Sequence, residues 1–217
     1  MLCEPKKILC VGLNYKSHAE ETGGEAPKEP VIFSKFNDAL AADGQEIVLP
    51  ASHRCYDYEA ELVAVIGREI YQAASREEAA AAIGGYTCGN DLSARDCQFR
   101  SNQWLIGKTM PGFAPIGPRI VPASEFDPGQ PHRITCRVNG VTVQDDDVTN
   151  MIFSCAEIVE YISAFLPLGP GDLIFTGTPA GVILGRPKGQ RSWLKPGDTV
   201  AVTIDGIGTL QNKLIQG

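Results

Sequence analysis

Short apolar runs separated by turn residues make up most of the chain, and each run is either apolar throughout or alternates apolar with polar side chains. This pattern predicts β-strands. The predicted strands cover residues 8–11, 31–36, 58–66, 86–89, 134–138, 141–144, 173–176 and 200–204. Asn139-Gly140 and Asp205-Gly206 are typical hairpin turns, and Pro170-Gly171-Asp172 and Pro196-Gly197-Asp198 each precede a predicted strand.

Two helices are predicted from capping boxes, in which a serine and a glutamate three residues later satisfy the first backbone N–H groups. Ser75 and Glu78 begin an alanine-rich helix that we expect to end at Gly84-Gly85, and Ser154 and Glu157 begin another. The apolar face of the second helix, Ile158, Tyr161, Ile162 and Phe165, predicts packing on a sheet. Because strands and helices do not alternate, the fold class predicted is α+β, rich in β-structure with few short helices.

Composition narrows the class of protein. The chain has 217 residues, of which 43% are hydrophobic, and this predicts one catalytic domain over residues 1–217. No apolar run is long enough to span a membrane and the first residues do not resemble a signal peptide, so we expect a cytoplasmic protein. The seven scattered cysteines lack paired CxxC spacing, which fits a reducing compartment and argues against structural zinc. A formal net charge of −7 disfavours nucleic acid as a partner.

Two glutamates lie near the start of the longest predicted strand. Side chains alternate along a strand, so Glu59 and Glu61 lie on the same face. That face continues with Val63 and Val65, which indicates that it points into the protein rather than to water. Buried carboxylates need compensating charge, and Cα atoms about 6.5 to 7 Å apart would let both side chains reach one ion.

Asp91 is the third acid of this candidate site. It follows the predicted strand 86–89 and precedes Ser93, which we expect to cap a short helix. Three crowded carboxylates raise one another's pKa, whereas a divalent cation keeps all three ionised. A set of oxygen ligands selects Mg²⁺, Mn²⁺ or Ca²⁺ over zinc. We predict Mg²⁺, with Mn²⁺ as the alternative, at Glu59, Glu61 and Asp91.

The residues alone also allow a simpler interpretation. Glu59 and Glu61 could be exposed strand residues and Asp91 a turn residue, since two acids at i and i+2 are common. Asp145-Asp146-Asp147 is a second acidic cluster, located between a predicted hairpin strand and Ser154, and we interpret it as a solvated turn.

Four motifs resolve this choice through a resemblance to a known family. They are Gly12-Leu13-Asn14-Tyr15-Lys16-Ser17-His18, Tyr58-Glu59-Ala60-Glu61-Leu62, Asn90-Asp91-Leu92-Ser93-Ala94-Arg95-Asp96 and Thr176-Gly177-Thr178-Pro179-Ala180-Gly181. In this order, and from about residue 8 to residue 213, the chain resembles the short form of the fumarylacetoacetate hydrolase family. The resemblance implies a fold of mixed β-sheets rolled around a metal site.

The resemblance also implies roles for the candidate residues. It assigns the metal to Glu59, Glu61 and Asp91, in agreement with the strand argument. It assigns Lys108 to the negative charge that develops on the substrate. Arg95 and Gln98 are implied in the same pocket, and Thr178 resembles the position that holds a substrate carboxylate through its hydroxyl and backbone N–H.

His18 and Glu21 form a candidate catalytic pair. They are three residues apart in a short helical stretch that begins at Tyr15 and that Gly23-Gly24 should end, so their side chains can meet. A carboxylate beside an imidazole fixes its tautomer and raises its basicity. On sequence alone a surface pair on a helix is the better explanation, whereas the resemblance implies a general base on a mobile lid over the metal.

The expected activity is Mg²⁺-dependent cleavage of the C3–C4 bond of a small 2-oxo acid, as in an acylpyruvate hydrolase. Within the family, oxaloacetate decarboxylation and isomerisation, decarboxylation or hydration of a dienoate are the alternatives. Outside it, a metal-dependent phosphoesterase and a non-enzymatic Ca²⁺-binding module remain open. The segments Lys35-Phe36-Asn37 and Met110-Pro111-Gly112 depart from the family pattern near the expected pocket, which affects substrate identity. We also expect a homodimer.

Overall fold

The computed structural model describes residues 3–21, 23 and 26–217. Over these residues the strands are β1 (Ile8–Gly12), β2 (Val31–Lys35), β3 (Leu40–Ala42), β4 (Ile47–Leu49), β5 (Tyr56–Asp57), β6 (Ala60–Ile66), β7 (Ile83–Asn90), β8 (Ser93–Ala94), β9 (Ala114–Pro122), β10 (Arg133–Val138), β11 (Val141–Asp147), β12 (Leu173–Phe175), β13 (Thr199–Ile204) and β14 (Gly208–Gln216). The α-helices are α1 (Lys16–Glu21), α2 (Arg76–Ala80), α3 (Arg95–Gln98), α4 (Leu105–Lys108) and α5 (Cys155–Ser163). The predicted class, β-rich with few short helices, is confirmed.

Two mixed sheets form the body of the protein. The larger has the strand order β2-β1-β12-β6-β7-β9-β3 and the smaller the order β11-β10-β13-β14-β4, while β5 and β8 form a separate pair. Most neighbours are antiparallel, but β1 with β12, β3 with β9 and β4 with β14 run parallel. β6 lies in the middle of the larger sheet, between β12 and β7.

The two faces of β6 pack into two separate apolar cores, and the face that carries Glu61, Val63 and Val65 points into the protein as predicted. Leu62 and Ala64 belong to the larger core, which also holds side chains of the smaller sheet and of α5. Val63 and Val65 belong to the smaller core with Phe175 of β12. Since every residue of β6 is buried, polar side chains on this strand cannot be solvated unless a cavity reaches them.

The first predicted helix is shorter than expected. Ser75 caps α2, since its hydroxyl accepts the backbone N–H of Glu78 at 3.2 Å, but the helix ends at Ala80. The prediction that it ends at Gly84-Gly85 is wrong, because both glycines lie in β7. A Cβ on Gly84 would stand 2.7 Å from Gly67 Cα, so glycine at positions 67 and 84 allows the two backbones to pack together.

The second predicted helix begins where expected, but its predicted apolar face is wrong at one residue. The capping box of Ser154 and Glu157 is complete, and Ile158 and Ile162 are buried in the larger core. Phe165 follows the end of α5 and is 69% exposed, so its predicted packing is wrong.

Three further expectations change. Asp145-Asp146-Asp147 is the end of strand β11 and not a turn, and Arg133 on the neighbouring strand donates two hydrogen bonds to Asp145. Ser93 does not cap a helix but lies in β8. The predicted strand 58–66 is interrupted, since Tyr58 and Glu59 lie between β5 and β6. Of the glycines expected to end the first helical stretch, Gly23 follows α1 and Gly24 lies outside the described residues.

Within the described residues, no helix is both long enough and apolar enough to cross a membrane.

Candidate active site

Pairing between β6 and β7 brings the three predicted metal ligands together. In this antiparallel pair Ala60 lies opposite Asn90, so the residues just outside the ladder, Glu59 and Asp91, face each other. The backbone N–H of Asp91 donates to the carbonyl oxygen of Glu59 at 2.9 Å, and the Asn90 side chain accepts the Glu59 N–H at 3.0 Å. Glu61 is two residues further along β6 on the same face. Glu59 and Asp91 are 32 positions apart in the sequence, and the sheet makes them neighbours.

Glu59, Glu61 and Asp91 each direct a carboxylate oxygen to a common point, with those oxygens within 4.8 Å of one another. All three side chains are buried. Gly177, whose φ of +99° favours glycine, donates its N–H to Glu61 Oε2 at 2.7 Å. A Cβ at this position would stand 2.7 Å from Asn14 Cβ, so glycine is what lets the loop after β12 approach Glu61.

Lys108 lies against two of the three acids. Its Nζ is 2.5 Å from Glu59 Oε2 and 2.6 Å from Asp91 Oδ2, and the residue is 2% exposed. α4 can place it there because α3 and α4 touch: a Cβ on Gly107 would stand 2.4 Å from the Gln98 backbone nitrogen. Lys108 therefore lies beside two of the candidate metal ligands, while its predicted role toward a substrate stays a prediction.

Lys35 contacts Asp91 at Oδ1, the oxygen that Lys108 does not contact. Its Nζ lies 2.5 Å from Asp91 Oδ1, yet its three N–H donors are taken by backbone carbonyl groups. The acceptors are the carbonyl oxygens of Leu92, Lys108 and Phe113, at 3.1, 2.5 and 2.6 Å. Asp91 Oδ1 is thus held in an ion pair without receiving a hydrogen bond from any described residue.

The electrostatics of the three acids are uneven. At Glu59 burial opposes ionisation, but the charges of Lys108 and Arg95 outweigh it and hold the pKa below its ordinary value. At Glu61 burial, with the neighbouring charges of Asp91 and Glu59, raises the pKa well above its ordinary value. Burial also raises the pKa of Asp91, in spite of Lys108 and Lys35. The local cations therefore do not compensate all three carboxylates.

The residues present fit a hard divalent cation. The donor set consists of carboxylate oxygens, which suit Mg²⁺ and Mn²⁺. Lys108, Lys35 and Arg95 leave the pKa values of Glu61 and Asp91 raised, and an added divalent cation would supply the missing positive charge. In the part of the chain that the structure describes, this is the one such group made of carboxylates alone.

Arg95 and its partner Asp57 connect the three acids to the loop after β12. Its guanidinium donates to Glu59 Oε1 at 2.7 Å, to Asp57 Oδ2 at 2.9 Å and to Gln98 Oε1 at 2.8 Å. Burial lowers the pKa of Arg95, but Glu59 and Asp57 outweigh it and raise the pKa. Asp57 also accepts the backbone N–H groups of Ile183 and Leu184, so one buried carboxylate positions both Arg95 and the 183–184 segment.

The His18 and Glu21 pair forms as predicted, in α1. His18 Nδ1 lies 3.4 Å from Glu21 Oε2. The carboxylate of Glu21 also accepts the backbone N–H of Gly181 at 3.0 and 3.2 Å, which fixes α1 against the loop after β12. That loop contacts the same side chain again at Gly185, where a Cβ would stand 2.1 Å from the Glu21 carboxyl carbon.

Thr178 is placed beside the acids with its hydroxyl already bonded. The Oγ1 donates to the carbonyl oxygen of Ala60 at 2.9 Å and accepts from Gln144 Nε2 at 2.8 Å. The hydroxyl therefore fastens this loop to the start of β6. Its backbone N–H has no acceptor among the described residues, so the N–H is the group that can meet a ligand.

A cavity of about 490 Å³ joins these residues. Its lining includes His18, Glu21, Glu59, Glu61, Arg95, Gln98, Lys108 and Thr178, which are eight of the nine predicted site residues, and Asp91 lies just beneath. The sequence analysis missed the aromatic part of the lining, Phe33, Phe99 and Trp104, and also Arg191. Phe33 and Trp104 meet edge to face, 5.4 Å between ring centroids, and Lys108 Nζ lies 5.1 Å from the Phe33 ring.

Arg191 differs from the other charged residues of the lining. Its Nε donates to the carbonyl oxygen of Arg186 at 2.8 Å, and its guanidinium lies 6.0 Å from the Trp193 ring centroid. Arg95 and Lys108 are paired with acids, but no acid of the described residues forms an ion pair with Arg191. It follows a 3₁₀ turn at Lys188–Gln190 in a loop without apolar periodicity, so no local pattern marks it.

The two departures from the family pattern fall in different places. Lys35 is buried behind Asp91, while Phe36 is 58% exposed. Met110-Pro111-Gly112 does not belong to the cavity lining. Neither segment belongs to the cavity lining, although Lys35 contacts Asp91, so the effect of the two segments on substrate identity stays a prediction.

Comparison with known proteins gives one family and several activities. The profile described as "Fumarylacetoacetate (FAA) hydrolase C-terminal" matches residues 7–215. Oxaloacetate tautomerase FAHD2A, mitochondrial, of Homo sapiens is 40% identical over 216 residues, which are 97% of this chain and 67% of that protein. Fumarylpyruvate hydrolase from Pseudomonas aeruginosa, whose crystal structure is in complex with Mn²⁺ and pyruvate, has a TM-score of 0.88 and 35% identity, covering 99% of this chain and 91% of that one. The X-ray structure of 5-carboxymethyl-2-hydroxymuconate delta-isomerase from Mycobacterium smegmatis has a TM-score of 0.87 and 40% identity, covering 99% and 80%.

Proposed function

Because this chain belongs to the fumarylacetoacetate hydrolase family, as its four motifs predicted, we propose that it is an enzyme that uses one divalent cation to form the enolate of a small 2-oxo acid. The observation that carries the proposal is the convergence of three buried acids, Glu59, Glu61 and Asp91, on one point beside the cavity. Lys108 and the His18–Glu21 pair border the same cavity, so acid, base and cation are within reach of one ligand.

Glu59, Glu61 and Asp91 would hold Mg²⁺ or Mn²⁺. When bound, the cation supplies Lewis-acid stabilisation of the negative charge that develops on a 2-oxo acid. The relative in complex with Mn²⁺ and pyruvate, itself a 2-oxo acid, supports this assignment.

Lys108 is the proposed oxyanion donor. An ammonium group has three N–H donors, and Glu59 and Asp91 take two of them. The third can donate to the enolate oxygen of a substrate in the cavity, and burial strengthens that bond because water does not screen it. Arg95 and Gln98 hold each other in place at the same wall, and the N–H of Thr178 is the proposed donor to the carboxylate of the substrate.

His18 is the proposed general base, positioned by Glu21. A carboxylate near Nδ1 favours the tautomer that carries its proton there, which makes Nε2 the proposed base, and Glu21 is itself held by the Gly181 N–H. In hydrolysis of an acylpyruvate, His18 would take a proton from the water that attacks the fourth carbon. The C3–C4 bond then breaks and its electrons pass into the enolate, which Lys108 stabilises.

A second candidate reaction is the interconversion of the enol and keto forms of oxaloacetate, or the decarboxylation of this compound. It is favoured by the 40% identity to a human oxaloacetate tautomerase and by Arg191. An unpaired guanidinium in the lining suits a substrate with a second carboxylate. Tautomerisation needs proton transfer at the third carbon, for which His18 is again placed, whereas decarboxylation needs no attacking water.

The test is an assay of the full chain with Mg²⁺ or Mn²⁺ on acetylpyruvate and on oxaloacetate, following both enol–keto exchange and loss of carbon dioxide. Metal-dependent turnover of either compound that is lost in Glu61→Gln supports the proposal. Absence of metal-dependent turnover of both contradicts it. Cleavage of a generic phosphodiester would favour the phosphoesterase, and Ca²⁺ preference without turnover would favour a binding module.

Three further expectations stay predictions. We propose a homodimer, which light scattering tests, and a single catalytic domain over residues 1–217. We also propose a cytoplasmic location, although the human relative is described as mitochondrial.

A further inference from the structure

A second cluster of ligand atoms lies outside the cavity, at the side of α3. His53, Asp96 and Cys97 each offer one ligand atom, and these atoms lie within 4.8 Å of one another. None of the three residues belongs to the cavity lining. Asp96 and Cys97 are on α3, and His53 comes from the segment before β5.

The ligand atoms of this cluster are near one another but are not yet arranged around an ion. His53 Nδ1 lies 3.3 Å from Cys97 Sγ and 3.6 Å from Asp96 Oδ2, and the same sulfur lies 3.6 Å from His53 Nε2. Zinc bonds of about 2.3 Å to sulfur and about 2.0 to 2.2 Å to nitrogen and oxygen place tetrahedral ligands about 3.3 to 3.6 Å apart. The separations therefore suit one ion, but the sulfur lies off the lone-pair direction of Nδ1, so the imidazole must turn for both atoms to bind it.

An independent observation is an unsatisfied acceptor in the same cluster. Asp96 Oδ2 accepts the backbone N–H of Arg54 at 3.2 Å, but Asp96 Oδ1 is inaccessible to solvent and has no hydrogen-bond donor among the described residues. Buried polar atoms without a partner are uncommon in folded proteins. Oδ2 is the oxygen that faces His53, and a cation that binds the carboxylate through both oxygens would satisfy Oδ1 as well.

The donor set differs in chemistry from the active site. Thiolate, imidazole and carboxylate together favour a late first-row divalent ion such as Zn²⁺ or Co²⁺, whereas three carboxylates favour Mg²⁺ or Mn²⁺. Thiolate and carboxylate also carry two negative charges, which a divalent ion neutralises. Cys97 is 3% exposed, but the side chains of His53 and Asp96 are 18% and 30% exposed, so an ion can enter from solvent.

We propose that His53, Asp96 and Cys97 form a second metal site, selective for Zn²⁺-like ions. On binding, a bond forms between sulfur and metal, and the proton of the Cys97 thiol leaves to solvent. The site joins the segment before β5 to α3, whose Arg95 and Gln98 line the cavity. The bound ion therefore holds α3, and with it this wall of the cavity, against the segment before β5. The absence of paired CxxC spacing concealed it, because the ligands come from two segments more than forty residues apart.

The test is titration of the metal-free full chain with Co²⁺ in the presence of excess Mg²⁺, which competes for the carboxylate site. A thiolate-to-cobalt charge-transfer band that saturates at about one equivalent reports sulfur ligation. Cys97→Ser should abolish the band, and His53→Ala should weaken Co²⁺ binding at least about tenfold. Cys55→Ser is the matched control, since Cys55 is a neighbouring half-buried thiol outside the cluster.

Absence of the band in the wild-type protein, or a band that survives Cys97→Ser, would overturn the proposal, as would equal loss in Cys55→Ser. Circular dichroism of each variant shows whether it is folded. His53→Ala removes a partly exposed side chain, so the test stands even where Cys97→Ser is unstable. The measurement follows binding and not turnover, so its outcome is separate from that of the proposed enzymatic function.

Discussion

Asp91 and Glu59 are joined at the backbone, the N–H of Asp91 donating to the carbonyl oxygen of Glu59 at 2.9 Å, and their side chains share the ammonium of Lys108. The strand pairing that makes this contact also sets the spacing of two prospective metal ligands. Because backbone hydrogen bonds of a central sheet are among the last to open, the ligands are held by the most stable part of the fold.

Removing the ammonium of Lys108, which lies between Glu59 and Asp91, should lower the free energy of unfolding as long as no metal is bound. In Lys108→Met the carboxylates of Glu59 and Asp91 lose their shared partner, and breaking a buried ion pair in this way costs about 3 to 5 kcal/mol. We expect a lower melting temperature without metal and a larger increase on adding Mn²⁺ than in the wild-type protein. Turnover should fall by about 10² to 10³ because the oxyanion donor is gone.

Differential scanning calorimetry with and without Mn²⁺ measures the first effect and steady-state kinetics the second. An equal Mn²⁺-induced shift in variant and wild type would contradict the role of Lys108 beside the metal.

His18→Gln should lower kcat for acetylpyruvate hydrolysis by about 10² to 10⁴, the usual contribution of a positioned general base. Mn²⁺ affinity should not change, since His18 is not among the three ligands. Glu21→Gln should have a smaller effect, because it weakens the orientation of the imidazole without removing it. Kinetics paired with Mn²⁺ calorimetry on each variant separate the base from the metal site, and an unchanged kcat would rule His18 out as the base.

Gly177→Ala should damage the site by moving the loop after β12. The φ of +99° strains any residue with a Cβ, and that Cβ would stand 2.7 Å from Asn14. We expect destabilisation of about 1 to 3 kcal/mol, with weaker metal binding because the N–H that orients Glu61 shifts. Gly140→Ala is the control, since Gly140 also has a positive φ but has open space around it and lies in the distant β10–β11 hairpin.

Denaturant unfolding and Mn²⁺ titration of both glycine variants check this. Comparable loss of metal affinity in the two variants would show that Gly177 has no special relation to Glu61.

Arg191→Gln should change the preference between substrates more than it lowers turnover in general. If Arg191 binds a second carboxylate, kcat/KM for oxaloacetate should fall about 10- to 100-fold while that for acetylpyruvate stays nearly constant, since a charge-assisted hydrogen bond is worth about 1.5 to 3 kcal/mol. Arg68→Gln is the control, because Arg68 is exposed and, like Arg191, donates to backbone carbonyl groups. Equal losses on both substrates would assign Arg191 to loop structure.

The local sequence pattern was sufficient to predict the positions of those site residues whose geometry depends on a single strand. Alternation along β6 placed Glu59 and Glu61 on one face and predicted that this face points into the protein. It could not place Asp91, because the meeting of Asp91 and Glu59 depends on the pairing of two strands, and the family motifs supplied that link.

Other strands escaped prediction for identifiable reasons. β14 was missed because a polar residue, Asn212, occupies one of its buried positions, where its side chain donates to the carbonyl oxygens of Ala42 and Gln45. β9 was missed because Gly117, Pro118 and Pro122 interrupt its pattern. The acids at the end of β11 resemble a turn because that strand is at the edge of the smaller sheet, where polar side chains are solvated.

The most direct test is calorimetric titration of metal-free protein with Mn²⁺, comparing the wild type with Glu61→Gln and Asp145→Asn. The glutamine can still accept the N–H of Gly177, so Glu61→Gln removes charge with little change in shape, and Asp145 belongs to the exposed acidic end of β11. We predict one Mn²⁺ bound to the wild type and to Asp145→Asn with equal affinity, and affinity at least about 10- to 100-fold lower in Glu61→Gln. Mn²⁺ binding that is absent from the wild type, or unchanged in Glu61→Gln, would contradict the metal site on which the account rests.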